Sequence, residues 1–575
     1  MSEVSLLNSP NESLAKRVVL EGDDAIHLWL KGKDAWNQWV EDNPEADVSF
    51  EDVDFSKYAP RLQADHSSLA HSFRDFHFPN GDITFSGTHF GNTDVDFSNI
   101  TFAKGKIDFS YANFGEGNVD FAYTQFGDGI ATFIQTSFGD GNVYFTEAKF
   151  GNGIILFSNS KFGQGNKYFS EATFGNGRVT FRDVNFNSGD VCFTNATFGI
   201  GKVDFSNTKF GDGILSFINT EFGEGDVDFS KVEFGDGNVR FANSILDSGK
   251  ADFSRTVFGN GDVIFSNVDF GEGDVDFSKT KYGYGDIDFT KARFGLGQTD
   301  FSEAKFSDGN IRFSGATIGS NSFLFEKNTI KGFAYFNDLL GLTSTKLISF
   351  RHSIFEKSLD FSVKGMGCIP DFTSTKTTNQ VVLQELEYKL RREGSWFKEQ
   401  ATDIDDIARL RRIKEIAENN KDHAAALRFH ADEMRAKRWH EMGTSASLLD
   451  MCFSGLSNYG QSILRPFSAL CTLMLTMVLY VVGFAFPLSL NPKDYSQWLS
   501  NTLNIDFSTY LYGFELAVSS ALPFISSSRN VNKTAGEALA DTLPSYFGAI
   551  SLVYGGLCFL FLFLIGLGLR NRFRI

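Results

Sequence analysis

Phenylalanine recurs along the middle of the chain with a period of twelve residues. One series occupies every twelfth position from Phe73 to Phe325, and all 22 of its positions are Phe. A second series lies five residues further on, from Phe78 to Ile330, and is Phe at 18 of 22 positions. Strict recurrence of one large apolar residue predicts a solenoid, in which each coil packs its rings against the coils above and below.

The residues around each phenylalanine predict short β-strands. In the recurring segment Val-Asp-Phe-Ser, Val and Phe are two residues apart and share one face of an extended strand, so the Asp between them faces outward. Recurring Phe-Gly-x-Gly segments supply glycines, which we expect in turns that need a positive φ. The predicted core ladder includes Phe73, Phe85, Phe97, Phe277 and Phe289.

The outward position before the first Phe series indicates the length of one coil. Between residues 204 and 300, this outward position is aspartate in every second repeat, whereas the repeats between them carry different residues there. The aspartates are Asp204, Asp228, Asp252, Asp276 and Asp300. Residues 24 apart thus resemble each other more than residues 12 apart, which favours a 24-residue coil. This acidic column is a candidate binding surface; solvated residues that protect turns and strand edges are the alternative.

The repeat resembles a known family. Val-Asp-Phe-Ser-Lys followed by Thr-Lys-Tyr-Gly-Tyr, at 275–284, is similar to the pentapeptide-repeat family, in a Phe-rich form where five- and seven-residue units alternate. The resemblance covers about residues 46–336. It implies a mainly β fold, a right-handed four-sided β-helix, and says almost nothing about function.

The C-terminal third changes to helical and then to membrane patterns. A helix is predicted over 380–401 and a helical hairpin over 402–441. Residues 467–486 and 546–569 are runs of 20 and 24 residues without a charge. Each is long enough to cross a hydrocarbon core of about 30 Å. Lys and Arg flank the two runs on their outer sides and are sparse between them, which predicts cytoplasmic N- and C-termini.

Between the two predicted spans lies a shorter apolar segment, 508–525. It is too short to cross the bilayer and is predicted to be a re-entrant or interfacial helix. Glu515 and Pro523 are therefore candidate pore or membrane-loop residues. The layout is similar to a two-helix ion-channel pore, but no TVGYG-like filter is present.

These patterns predict five segments. They are a helical cap (1–45), the β-helix (46–336), an irregular coil with a cap helix (337–400), the helical hairpin (401–442) and a membrane domain (443–575). The AWNQW start, the repeat and a SNYGQSILRP…LRNRFRI tail together resemble bacterial pentapeptide-repeat membrane proteins. The resemblance implies the bacterial inner membrane.

Composition and the motifs that are missing exclude several classes of function. A formal net charge of -18 disfavours binding to nucleic acid or to an anionic lipid surface. Five dispersed cysteines predict free thiols in a reducing compartment. The sequence has no phosphate loop, HExxH, CxxC or GxSxG motif, so we expect no enzyme and no cofactor. His423, His430, Glu433 and His440 are interpreted as solvated or interface residues rather than metal ligands.

Three functions remain open from the sequence. The first is a membrane-anchored cytoplasmic scaffold or sensor that binds a protein partner. The second is an oligomeric ion-conducting pore, or a membrane-depolarising effector, gated by the β-helix. The third, implied by the family, is a DNA mimic that binds a topoisomerase. We also expect the chain to contact the lipid bilayer and to form a homo-oligomer, because Gly555 and Gly556 allow close helix packing. The general enrichment of glycine in spanning helices is the alternative explanation for these two residues.

Overall fold

The computed structural model describes residues 17–58, 61–62, 69–319, 321–395, 398–485, 507–521, 525–540 and 543–573. The chain forms two compact units, residues 1–390 and 391–575. The described part of the first unit is a parallel β-solenoid of about 15 turns with two short helices near its start. The described part of the second unit is helical, apart from one β-hairpin.

Two long sheets run along the solenoid. Apart from the antiparallel pair Arg61–Leu62 and Leu69–Ser72, their strands pair in parallel. Through the strict repeat the paired strands are 24 residues apart, as in Asp204↔Asp228 and Tyr144↔Tyr168, so the 24-residue coil is confirmed. The first sheet consists of Val19–Glu21, Asp47–Ser49, Ile83–Thr84, Ile107–Asp108, Ala131–Thr132, Ile155–Leu156, Val179–Thr180, Val203–Asp204, Val227–Asp228, Ala251–Asp252, Val275–Asp276, Thr299–Asp300, Ser322–Leu324 and Leu347–Ser349. The second sheet consists of Arg61–Leu62, Leu69–Ser72, Asp94–Asp96, Val119–Asp120, Val143–Tyr144, Lys167–Tyr168, Val191–Cys192, Leu215–Ser216, Val239–Arg240, Val263–Ile264, Ile287–Asp288, Ile311–Arg312, Ala334–Tyr335, Leu359–Asp360 and Val381–Val382.

Two further ladders of paired residues alternate with these sheets along each coil. One passes through His77↔Thr101 and the other through His89↔Asn113, mostly as single parallel bridges. In places the bridges extend to two-residue strands. These strands are Thr173–Phe174 with Thr197–Phe198, Arg293–Phe294 with Thr317–Ile318, and a five-stranded set of Lys281–Tyr282, Lys305–Phe306, Thr329–Ile330, Ile354–Phe355 and Lys376–Thr377.

The phenylalanine ladders form the core. Phe205 and Phe229, one coil apart, stack with ring centroids 4.8 Å apart and planes 2° apart. Phe205 and Phe217, from opposite sides of one coil, meet edge to face at 5.6 Å. Each such ring pair contributes about 0.5–1.5 kcal/mol beyond the area it buries. The predicted ladder residues Phe73, Phe85, Phe97, Phe277 and Phe289 are all completely buried.

The turns use glycine for a different reason from the one predicted. Positive φ falls on non-glycine residues such as Lys231 and Arg255, at 58° and 60°. At most Phe-Gly-x-Gly glycines φ is ordinary, and the constraint is space. A Cβ on Gly237 would lie 2.0 Å from the carbonyl oxygen of Gly213, one coil earlier. The prediction that these glycines supply positive φ is therefore wrong for most of them, because the close approach of successive coils requires them.

The first unit begins with two helices, α1 (Gly22–Lys31) and α2 (Lys33–Asp42), separated at Gly32. A short 3-10 turn follows at Phe55–Lys57. Trp29 and Trp36 are fully buried and pack on the first phenylalanines, with Trp36 stacked on Phe50 at 5.9 Å. Their indole N–H groups donate to carbonyl oxygens of the first coil, so the helices cover the end of the ladder.

The solenoid extends further than the strict repeat does. Strands continue to Val381–Val382, although the twelve-residue register ends near Ile330. The helix predicted over 380–401 is wrong: Val381–Val382 pairs with Leu359–Asp360, and Arg392–Ser395 forms an antiparallel hairpin with Lys398–Ala401. The open edge of the solenoid offers backbone partners that override local helix propensity.

The second unit contains seven described helices. They are α3 (Asp406–Asn419), α4 (His423–Lys437), α5 (Thr444–Ser457), α6 (Leu464–Ala485), α7 (Phe507–Ala521), α8 (Ser526–Ala538) and α9 (Phe547–Arg572). Helices α3 and α4 form the predicted hairpin. Two segments, Leu464–Val481 and Phe547–Arg572, are long and apolar enough to span a membrane, and only 22% of each is buried. Such low burial distinguishes them from core helices of a soluble domain.

Candidate functional site

At the C-terminal end of α7, the buried Ser519 and Ser520 form a polar cluster with residues of α8 and α9. Asn532 donates to the Ser520 hydroxyl at 2.7 Å, and Ser551 on α9 donates to the same oxygen at 3.2 Å. Ser528 donates to the carbonyl oxygen of Ser519 at 2.7 Å. The last turn of a helix leaves carbonyls without intrahelical partners, so these contacts satisfy groups that are costly to bury in an apolar environment.

Helix α9 approaches α7 closely at this cluster. The Tyr554 hydroxyl donates to the carbonyl oxygen of Ala517 at 3.0 Å. At Gly555 a Cβ would lie 2.9 Å from the carbonyl oxygen of Ser520, whereas a Cβ on Gly556 would meet nothing within 4 Å. Of the two glycines predicted to mediate packing, Gly555 thus packs within the chain and Gly556 leaves its side of α9 open.

Of the two predicted membrane-loop residues, one is described. Glu515 lies on α7, one turn before the polar cluster, and is partly buried. Pro523 lies outside the described residues. Ser519, Ser520 and Ser551 were not among the predicted site residues, although serines in an otherwise apolar segment are a signal for such a site.

A second polar cluster joins the end of the helical hairpin to α5 and to the end of α9. The Arg438 guanidinium binds the carboxylate of Asp450, and the Tyr459 hydroxyl donates to the same carboxylate at 2.7 Å. Burial and the hydrogen bond to Asp450 raise the pKa of Tyr459 to about 12. Residues 458–460 all have positive φ, and the Gly460 carbonyl oxygen accepts from Asn571 on α9 at 3.1 Å.

This cluster explains part of the SNYGQSILRP segment. Three consecutive left-handed residues form a tight turn, which favours Asn and Gly. Gln461 donates to the carbonyl oxygen of Leu427 in α4 at 2.8 Å. Side chains on both sides of the turn thus connect α4, α5 and α9.

One histidine of the hairpin, His430, lies beside an ion-pair network, with its Nδ1 3.9 Å from the Glu433 carboxylate. Glu433 is buried and contacts Lys437 at 2.6 Å, Lys414 at 2.7 Å and Arg411 at 3.3 Å. Burial would raise the pKa of Glu433, but hydrogen bonds from His430, Lys414 and Lys437 hold it far below its ordinary value. Within the described ranges, no group of three or more His, Cys, Asp or Glu side chains is arranged to bind a metal.

The predicted aspartate column lies along the first sheet. Asp204, Asp228, Asp252, Asp276 and Asp300 each accept a hydrogen bond from the backbone N–H two residues later, at 2.8–3.0 Å. Asp204 is only 3% exposed and contacts Arg178 at 3.3 Å, whereas the other four are partly exposed. The same hydrogen bond recurs at all five aspartates, so each aspartate stabilises its own turn.

Comparisons with known proteins assign no family. No protein-family model matches the chain, and neither the curated proteins nor the solved structures contain a significantly similar one.

Proposed function

We propose that this protein is a membrane-anchored β-solenoid scaffold that binds a protein partner through its outer surface, without a cofactor and without catalysis. The observation that carries the proposal is the filled interior of the solenoid. Stacked rings such as Phe205 and Phe229 leave no space inside the coils for a substrate. Any recognition must therefore use the outward columns, which repeat once per coil and form long surfaces.

We further propose that the solenoid is a right-handed, four-sided β-helix of the pentapeptide-repeat type. Four ladders of paired residues per coil, two sheets and two bridge columns, support four sides. The five-and-seven spacing of the phenylalanines supports the family assignment.

The proposed location is the inner membrane of a bacterium, with two spans and both termini in the cytoplasm. The apolar, mostly unburied helices α6 and α9 support the anchoring. Lys and Arg beside their outer ends support the orientation. All five cysteines carry free thiols, as is usual in a reducing compartment.

Position-specific photocrosslinking in cells tests the scaffold proposal. A photoreactive residue replaces an exposed residue of the solenoid, such as Tyr284 (68% exposed) or Leu296 (63% exposed), in the full-length chain. We expect one protein to be captured from neighbouring positions and not from the opposite side of the coil. Equal, diffuse capture from all positions would reject a defined binding surface.

The polar cluster beside Glu515 favours a pore as the second candidate. Ionisable side chains among membrane helices are costly and often mark ion paths. Purified protein in a planar bilayer would show a cation conductance that Glu515→Gln reduces and that Glu537→Gln, an exposed control on α8, leaves unchanged. Absence of conductance at every protein density would eliminate the pore.

A further inference from the structure

Five cations form a patch on the solenoid of this acidic chain. Lys231, Arg255 and Lys279 occupy successive coils at the left-handed turn positions. Lys281 and Lys305 lie on the ladder that follows this turn and are direct cross-strand partners. All five side chains are exposed.

Among the described residues, the patch is neutralised within its own chain only at Lys279. Lys279 comes within 4.0 Å of Glu303. Across the part of the chain that the structure describes, no carboxylate lies within 4.0 Å of Lys231, Arg255, Lys281 or Lys305. Like charges directly opposite each other on neighbouring strands are destabilising. An acidic partner would remove this repulsion.

The neighbouring aspartate column determines which acidic partner fits. Asp228, Asp252, Asp276 and Asp300 lie three residues before the turn positions, on the preceding sheet. A uniformly anionic surface, such as lipid or nucleic acid, would meet these carboxylates as well as the cations and would be repelled. A partner with adjacent acidic and basic columns would meet opposite charges instead.

A second copy of this chain has those two columns at the same spacing. Both columns advance one residue per coil, about 4.8 Å. In the acidic column, Asp228 is 3.0 Å from Lys202, and Lys250 lies 2.8 Å from Asp252 and 3.9 Å from Asp276. Asp300 has no cation within 4.0 Å among the described residues. Asp300 is therefore available to an outside cation, and Asp276 shares Lys250 with Asp252, which is closer to it.

We propose that two copies associate through their solenoids, with the basic patch of one against the aspartate column of the other. Equal spacing lets several ion pairs form in register along four coils. The contact concerns only copies of this chain, so it goes beyond the proposed scaffold and pore functions and does not depend on either.

Charge reversal in the full-length protein in detergent tests the proposal. The first variant combines Lys231→Glu, Arg255→Glu and Lys279→Glu; Glu147, Glu171 and Glu303 already occupy equivalent turn positions. The second combines Asp252→Arg, Asp276→Arg and Asp300→Arg; Arg240 and Arg312 occupy the corresponding positions of the second sheet. Analytical ultracentrifugation at 50 and 500 mM NaCl measures the dissociation constant.

Each variant alone is expected to weaken self-association about tenfold or more. An equimolar mixture of the two is expected to form heterodimers with near wild-type affinity, because each supplies the charge that the other lacks. High salt is expected to dissociate the wild-type complex. Restored association in the mixture also shows that both variants are folded.

A matched control combines Lys149→Glu, Lys161→Glu and Lys291→Glu, three exposed sites with the same total charge change. It should associate like the wild type. A monomeric wild type at 50 mM NaCl, self-association that survives both reversals, or a mixture without heterodimers would overturn the proposal. Binding to phosphatidylglycerol vesicles that only the first variant loses, without an effect on self-association, would instead assign the patch to lipid.

Discussion

At the scale of single residues, Lys167 breaks the pattern of the second sheet. The inward positions one coil before and one coil after it hold Val143 and Val191. Lys167 is buried, and its Nζ donates to the carbonyl oxygens of Gly163, at 2.7 Å, and Ser188. Burial lowers the pKa of Lys167 to about 8, although Asp140 and Asp190 act in the opposite direction.

Lys167→Met is expected to stabilise the protein near neutral pH. The native pKa of Lys167 is lower than its unfolded value, so the unfolded chain binds more protons between about pH 8 and 10.5. The free energy of unfolding therefore rises with pH in that window. The variant should lose this rise and gain on the order of 1–2 kcal/mol at pH 7. Denaturant unfolding of both proteins at pH 7, 8 and 9.5 measures it; identical pH profiles would contradict the prediction.

Phenylalanines of the core ladder should contribute more to stability than exposed aromatic residues do. Phe205→Ala removes a fully buried ring stacked on both sides, so we expect a loss of about 3–5 kcal/mol. Tyr284→Ala removes an aromatic ring that is 68% exposed and should change stability by less than about 0.5 kcal/mol. Thermal unfolding of the two variants compares them. Similar losses of stability in the two variants would show that the stacked rings do not stabilise the core.

At the scale of secondary-structure elements, backbones approach closely in both units. In the solenoid, glycines let turns of successive coils touch; in the second unit, Gly555 lets α9 touch the end of α7. Small residues serve this purpose wherever backbone meets backbone. The three left-handed residues at 458–460 turn the chain tightly between α5 and α6.

Gly555→Leu and Gly556→Leu form a matched pair on α9. The first side chain would collide with the Ser520 carbonyl, whereas the second would extend into open space. We expect Gly555→Leu to lower the thermal unfolding temperature in detergent by several degrees, as a change of about 1–3 kcal/mol would. Gly556→Leu should leave it unchanged. A larger effect at Gly556 would place a helix contact between copies on that side of α9.

The predictions of secondary structure were accurate for most elements and wrong for residues 380–401. Periodicity located the strands and the α3–α4 hairpin, because each buries one regular face. The length of the charge-free runs located the two apolar helices. Periodicity failed over 380–401, where Val381–Val382 pairs with the solenoid strand Leu359–Asp360 and Arg392–Ser395 pairs with Lys398–Ala401. Backbone pairing with a distant segment leaves no signal in local spacing.

At the scale of the whole molecule, the proposed topology puts the connection between the spans outside the cytoplasm. Alkaline phosphatase, which is active only outside, fused after residue 495 should be active. The same enzyme fused after residue 575 should be inactive. A cytoplasmic fluorescent reporter at the same two sites should give the reverse pattern. Inactive phosphatase at both sites would show that the apolar helices do not insert.

The sequence by itself determined the solenoid, its 24-residue coil and the phenylalanine core. A strict repeat leaves one way to bury 40 rings that recur at fixed spacing. Only the tertiary structure decided what the polar and small residues do. The aspartates accept hydrogen bonds from the backbone of their own turns, and the glycines lie in close contact with the backbone of the previous coil. Ser520 accepts hydrogen bonds from Asn532 and Ser551. These roles depend on groups distant in the chain, which spacing along a single sequence does not encode.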